Sequence, residues 1–408
     1  LRRRNRELKS KLKRGLQATL LTDAFPSWAS TTRSLCEVLP ATPALFDVVV
    51  IDEASQCDLA LASVALMRGK RAVVVGDPNQ LRHVCFLSRT REQAYCVRNG
   101  LSTDEQSRFH YRRSLFDVAA DSVEQRNFYL LDEHFRSHPH IISFSNRAFY
   151  DGELNIMTGR PSHEGETAIT LHKVSGRREP DSSVNPAEVD EVIALVHQHI
   201  EQNQNHPPLS LGIVTPFRDH ADQLKRRIID SFSSEVIRKH GLVVGTAHSL
   251  QGDEKDVVIF TTSIDADAHR SSLQFLETPN LFNVAITRAR QKLIVVTSVE
   301  ATDLPSGILR EFLMHTTTPW TGSKFGTQQH SDVESKFAGQ LREKNLDVWM
   351  SLKTAGTEVP IVVANETTNL AIVCDLHRHA GTPNWRHLET QQRLRRAGWT
   401  VSRIPHRA

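Results

Sequence analysis

The string FDVVVIDEASQ, residues 46–56, places two carboxylates, Asp52 and Glu53, directly after the apolar run Val48, Val49, Val50 and Ile51. An apolar run of this kind predicts a strand buried on both faces, as in a parallel sheet. Ligands of such sheets sit beyond the carboxyl ends of the strands, so both acids would project into a crevice. A nucleoside triphosphatase needs such a pair there. One carboxylate holds Mg²⁺ through its water shell, and the other orients and deprotonates the attacking water. Strands also commonly end in solvated acids, so the pair alone leaves both readings open.

A second strand-to-turn pattern follows in RAVVVGDPNQL, with Val73 to Val75 as strand and Gly76 to Gln80 as turn. Gly76 permits tight backbone geometry, and Asp77-Pro78 favours turn initiation. If the two strands are neighbours, Gln80 stands at the same sheet edge as Asp52 and Glu53. Further along, HFRSHP puts Arg136 just ahead of a helix expected to start near His138, marked by Pro139 and the spacing of Ile141, Ile142, Phe144 and Phe149.

The chain of 408 residues is long enough for two or three domains. Hydrophobic residues at 39% and charged residues at 24% are ordinary for a globular protein. The balance of 50 basic against 47 acidic residues makes no case for nucleic acid. Distribution is more telling: residues 1–15, LRRRNRELKSKLKRG, carry eight basic residues against the single acid Glu7. That stretch reads equally as a solvated basic helix or as a phosphate-contacting arm. Five scattered cysteines (Cys36, Cys57, Cys85, Cys96, Cys374) suit reduced thiols rather than a disulfide or zinc framework. No stretch approaches the ~20 apolar residues of a membrane span, and a cytoplasmic protein without membrane partners is expected.

Positioning elements can be read in order. Pro26, Pro40 and Pro43 punctuate a loop-rich approach to the acidic strand, DLALASVALM reads as a short buried helix, and residues 86–127 are polar and irregular with some helical character. From residue 169, strands and helices alternate. ITLHKV, LGIVTPF, GLVVG, DVVIFTTS and KLIVVTS are strands, and Asn185-Pro186-Ala187-Glu188 opens a helix with a polar cap, proline first and glutamate third. RDHADQLKRRIIDSF and NLFNVAITRAR are helices. Such alternation predicts a parallel α/β sheet. Residues 315–330 read as a linker. After it come a helix (SDVESKFAGQLREKN), strands EVPIVVA and NLAIVCD, a basic helix (WRHLETQQRLRRAGW) and a final strand, TVSRI.

Taken together, DEASQ, VVVGDPNQL, HFRSHP, GTAHSLQGDEKDVVIF and NVAITRAR resemble, in order, the later motifs of superfamily 1 helicases. The likeness is to the group containing the nonsense-mediated-decay and Okazaki-fragment-processing helicases and their bacterial relatives, over roughly residues 16–300. It implies an α/β fold of two RecA-like parallel-sheet domains, the first partial, with ATP in the cleft between them. On this resemblance Asp52 is the Mg²⁺ partner and Glu53 the catalytic base. Gln80 senses the γ-phosphate, and Arg136 and Arg288 are arginine fingers on the developing charge. Gly76, Asp77, Gln251, Gly252 and Glu254 line the nucleotide, and Thr246, His248 and Ser249 face the nucleic acid. Planar guanidinium groups suit phosphate oxygens, and such fingers contribute ~10³–10⁵ in rate. The implied partner is single-stranded DNA or RNA, DNA favoured, held through phosphates and a few stacked bases.

The phosphate loop GxxxxGK[ST] is absent from the sequence. RGKR at 68–71 and TGSK at 321–324 lack its glycine spacing. With a start at Leu1 on a charged stretch, the expectation is the C-terminal part of a longer helicase, inactive alone, with a separate polypeptide as a conceivable source of the loop. The expected divisions are 1–130 (partial first RecA-like domain), 131–314 (second), the linker 315–330, and a small α/β domain at 331–408. That last domain resembles the very-short-patch-repair type of restriction endonuclease. Glu334 and Asp375 fit its pattern, but Pro360 and Val373 stand where two further acids belong. A metal nuclease needs converging carboxylates, so a degenerate domain that binds DNA or packs on the helicase is expected. Glu358 and Glu366 nearby keep a nuclease open as the alternative. None of the 20 histidines has recognised metal-ligand spacing, and solvated or helix-capping roles are expected for them.

Overall fold

The computed structural model describes residues 18–404 apart from 86, 164, 204–206, 251, 319, 321–331, 365–368 and 375–384. The chain divides into two compact units, Leu1–Leu130 and Leu131–Ala408. The basic stretch at 1–15 lies outside the described residues.

In the first unit, α1 (Ala18–Ala24) and α2 (Thr32–Val38) precede β1 (Phe46–Ile51), α3 (Leu59–Leu66) and β2 (Gly69–Val74). The two strands pair in parallel, with Ile51 opposite Val74. Ile51, Ala54, Ala62, Ala65 and Leu115 form the core beneath them. The expectation that β1 is buried on both faces fails. Val49 and Ile51 turn toward this core, while Val48 is 49% and Val50 62% exposed. Side chains alternate across a strand, and the described two-stranded sheet has packing on one face only. The irregular stretch that follows holds three short helices, α4 (Arg89–Arg98), α5 (Thr103–Arg108) and α6 (Leu115–Ser122). The side chains of Ser88, Ser102 and Ser114 cap their first turns.

The second unit opens with β3 (Glu133–His134), α7 (Pro139–Phe149) and β4 (Asn155–Ile156), the two short strands pairing in parallel. His138 is the cap of α7, as expected. Next come β5 (Ile169–Lys173), α8 (Pro186–Gln202), β6 (Leu211–Val214), α9 (Arg218–Ser231), α10 (Ser234–Lys239), β7 (Val243–Gly245), β8 (Lys255–Thr261), α11 (Arg270–Leu276), α12 (Pro279–Ile286), β9 (Ala289–Thr297) and α13 (Ile308–Thr316). The strands form a parallel sheet in the order β5-β9-β8-β6-β7. Val189, Val192 and Val196 of α8 and Leu224 and Ile228 of α9 cover it. NLFNVAITRAR is not one helix. Helix α12 ends at Ile286, Arg288 occupies the connection, and Arg290 is already in β9.

Residues 315 and 316 close α13, and Trp320 is buried, its backbone exchanging hydrogen bonds with Gly165 (3.1 Å) and Glu166 (3.2 Å). The expected linker therefore begins as ordered structure; residues 319 and 321–330 lie outside the described set. Beyond it stand α14 (Asp332–Glu343), β10 (Val348–Thr354), β11 (Thr357–Ala364), β12 (Asn369–Cys374), α15 (Trp385–Arg396) and β13 (Thr400–Ile404). Strands β10, β11 and β12 are antiparallel neighbours, and β13 lies parallel to β12. Strand β10, VWMSLKT, is not anticipated by the pattern reading. It is joined to β11 through Ala355 (φ 51°) and Gly356 (φ 66°), a two-residue turn with both residues left-handed. Asn-Gly would have announced that turn, whereas Ala-Gly does not. Among the described residues no helix is long and apolar enough to cross a membrane.

Candidate nucleotide site and arginine cluster

In the first unit, β1 delivers Asp52 and Glu53 to its carboxyl end, where both are exposed. Asp52 Oδ1 accepts from Glu53 N at 2.8 Å, and Glu53 Oε2 from Gln56 Nε2 at 2.8 Å. Glu53 itself is left-handed (φ 54°), which turns the chain sharply off the strand. The neighbouring turn is stitched to it. Ala54 N donates to Val75 O at 2.8 Å, and His83 N to Ser55 O at 3.2 Å. Inside the turn Asp77 is the anchor, accepting from Asn79 N and from Gln80 Nε2, both at 2.9 Å. Asp52, Glu53 and Gln80 are thus carried by adjoining turns of neighbouring strands, as the sequence requires. Gly76 has a packing role as well: a Cβ there would lie 2.9 Å from Phe116 and 3.1 Å from Ser55 N. Exposed hard carboxylate oxygens at Asp52 and Glu53 suit Mg²⁺, which favours oxygen ligands and retains water.

RGKR at 68–71 is no phosphate cradle. Arg68 is 2% exposed and donates to the carbonyls of Pro40 (3.0 Å), Leu39 (3.1 Å) and Val64 (2.5 Å), and Gly69 begins β2. It is a structural arginine that no sequence signal announced.

In the second unit, Arg136 is ion-paired with Glu254, which Arg290 also grips. Burial acts to raise the Glu254 carboxyl, but the two guanidinium groups outweigh it and hold it below the usual carboxylate range. Arg288 is buried beside this cluster, donating to Val284 O (3.1 Å) and Asp253 O (3.4 Å). Its own carbonyl receives Lys255 N at 3.0 Å. Arg136, Arg288 and Glu254 therefore converge at the amino ends of β8 and β9. Arg290, the second residue of β9, joins them and was missed because a helix was expected there. Gly252, at φ 78° with no atom within 4 Å of a notional Cβ, serves conformation rather than space. Gln251 lies outside the described residues. Thr246, His248 and Ser249 lie in the turn after β7, where Ser249 Oγ donates to Thr246 O at 2.9 Å.

A family described as AAA domain matches residues 111–300, and a second family of the same description matches residues 6–87. Helicase SEN1 of Saccharomyces cerevisiae is 30% identical over 311 residues, covering 72% of this chain and 13% of its own length. The uncharacterized ATP-dependent helicase MG140 of Mycoplasma genitalium is 27% identical over 72% of this chain and 28% of its own. By these matches the chain is related to superfamily 1 helicases of the SEN1 type. It spans under a third of each of these two helicases. Among solved structures, arterivirus nonstructural protein 10, a helicase in complex with DNA, aligns at 15% identity and a TM-score of 0.29, over 60% of this chain and 39% of its own.

Two further polar centres mark the second unit. His138, His163 and Glu166 bring one ligand atom each to within 4.8 Å of one another. His138 Nδ1, however, accepts the capping bond from His140 N at 3.1 Å, which leaves Nε2 as the protonated nitrogen facing Glu166 at 3.3 Å. A metal would need that nitrogen's lone pair, so the trio reads as a hydrogen-bonded cap. Glu188, expected as a helix-capping acid, does something larger. It is fully buried and accepts from Thr261 Oγ1 (2.5 Å), Ser263 N (2.7 Å) and Ser298 Oγ (3.1 Å). Burial pushes its carboxyl up to about 7 against these donors. It ties the carboxyl ends of β8 and β9 to α8.

Glu334 lies in α14, while Asp375 and Glu366 lie outside the described residues.

Proposed function

We propose that the chain is the motor part of an ATP-dependent translocase or helicase acting on single-stranded nucleic acid, with DNA favoured. The observation that carries it is the pair Asp52 and Glu53, exposed at the end of β1 beside the hydrogen-bonded turn that holds Gln80. Mg²⁺ would be held at Asp52 and would supply positive charge against the phosphates. Glu53 takes the proton of the attacking water, and Gln80 reports the γ-phosphate. Arg136 and Arg288 supply guanidinium charge to the transition state. Thr246, His248 and Ser249 face the strand. No GxxxxGK[ST] sequence occurs in the 408 residues, so the cradle for the β- and γ-phosphates has to come from another segment or another polypeptide. The open apolar face of Val48, Val50 and Val73 supports that reading.

The small C-terminal domain is read as a degenerate endonuclease-like fold. The order helix, three strands, helix, strand, with the last strand parallel to its neighbour, supports this. So does the scarcity of strand carboxylates, Pro360 and Val373 standing at acid positions. The favoured location is the cytoplasm.

The deciding experiment is single-strand-stimulated ATP hydrolysis by this chain and by a form extended upstream to include a phosphate loop, each with Glu53→Gln. Hydrolysis in the extended form that falls by ~10²–10⁴ on removing the base supports the motor. Hydrolysis in neither, with nucleic-acid binding intact, supports a binding fragment. Mg²⁺-dependent cutting of a labelled duplex would instead support the nuclease.

A further inference from the structure

Strand β3 is two residues long, too short to hold itself, yet it leads directly into Arg136. What holds it comes from the far end of the chain. Glu133 receives the guanidinium of Arg396 in two parallel bonds, Nε to Oε2 at 3.0 Å and Nη2 to Oε1 at 2.5 Å, with Arg393 Nε 3.6 Å away. Both arginines belong to α15. Strand β4 and the residues after it meet the same domain by other contacts. Met157, 1% exposed, is part of the apolar cluster of Leu352, Val359, Leu394 and Trp399, so a residue of the helicase ribbon completes the core of the C-terminal sheet. Thr354 Oγ1 donates to Gly159 O at 3.1 Å. Arg160 donates to Ala397 O and stacks 4.9 Å over the Trp399 ring. The fit at Asn155 is tight enough that a Cβ on Gly356 would sit 1.9 Å from its side-chain oxygen.

On its other side the same segment is tied to the arginine cluster. Ser137 N donates to His134 Nε2 at 2.9 Å, Thr158 Oγ1 to Ser137 O at 2.7 Å, and His138 N to Arg290 O at 2.7 Å. Residues 133–138 are therefore suspended between the C-terminal sheet and β9, with Arg136 in the middle. We propose that the C-terminal sheet domain is a clamp on the Arg136 turn, and that Glu133 is its positioning residue, acting through Arg396. A domain with a degenerate nuclease pattern is then retained for a mechanical reason. The catalytic consequence, though not the clamp itself, rests on the motor reading above.

The test is a double-mutant cycle of Glu133→Gln, Arg396→Met and the pair, neither change forcing the core apart. Amide hydrogen exchange is followed over residues 132–138 and 155–160, with the β5–β9 sheet as the internal control. Each single variant should raise exchange in those two segments by roughly fivefold, the control unchanged, and the pair should do no more than either alone. In the extended, ATP-hydrolysing form the same variants should lower kcat by about tenfold at unchanged KM, since a finger that acts only in the transition state is lost from kcat. Unchanged exchange in the singles, or additive effects in the pair, overturns the clamp. Unchanged kcat alongside raised exchange overturns the positioning role of Glu133. If no form hydrolyses ATP, wild type included, the motor reading fails, and the exchange cycle alone decides the clamp.

Discussion

Arg136 is paired with Glu254, and Glu254 also holds Arg290, so the residue expected to act on a transferring phosphate is already engaged by a carboxylate of its own unit. A phosphate must compete with Glu254 for that guanidinium. Glu254 stays ionised because two arginines outweigh its burial, so acid does not readily release Arg136.

Replacing Arg136 by Ala should lower single-strand-stimulated hydrolysis in the extended form by ~10³ or more. Arg136→Lys should recover little of it, because an ammonium cannot present two parallel donors. Equal rates for Arg136→Ala and wild type would remove Arg136 from the chemistry. Glu254→Gln should leave the unfolding midpoint nearly unchanged, by about 1 kcal/mol at most, since the pair is partly solvated.

Arg68 satisfies three carbonyls from the interior of the first unit. Arg68→Met keeps the volume but leaves those carbonyls unpaired, at a cost of about 2–3 kcal/mol. Hydrogen exchange in β1 and β2 should rise accordingly while the second unit stays protected. Exchange unchanged in β1 would mean that water replaces the guanidinium at no cost.

Acid should destabilise the second unit. Burial is the main cause that lowers His134, His138, His220 and His315 to about 4. The folded values lie below the ordinary 6.5, so the unfolded chain binds more protons between the two, and stability falls as pH drops from 6.5 toward 4. The structural reason is plain at His134 and His138, each of which accepts a backbone N–H that a protonated ring could not. Urea midpoints measured across this window should fall, and His134→Gln should flatten part of the slope.

Glu188 carries the opposite sign. Its carboxyl is raised to about 7, above the ordinary 4.5, so the folded state binds the extra proton and stability is lost as pH rises from 4.5 through 7. Glu188→Gln should remove this opposing slope and make the acid loss of the histidines steeper. It should also cost about 2 kcal/mol, because the amide nitrogen faces groups that donate already, Thr261 and Ser263 at one oxygen's position or Ser298 at the other's. A variant with the wild-type pH profile would show that Glu188 does not titrate in this range.

Local order was legible wherever short-range chemistry sets it. The apolar run into Asp52 and Glu53, the turn at Gly76 to Gln80, the cap at Asn185 and the helix start at His138 all follow from spacing and side-chain type, because strands, turns and caps are decided within a few residues. What the sequence could not convey depends on partners distant along the chain. Val48 and Val50 read as buried until the described sheet proved to be covered on one face. Nothing near Arg68 or Arg290 in the sequence points to the carbonyls and the carboxylate they meet. The tightest case is Glu133 with Arg396, 263 positions apart: an ion pair leaves no periodicity behind, and only the folded chain brings its two halves together.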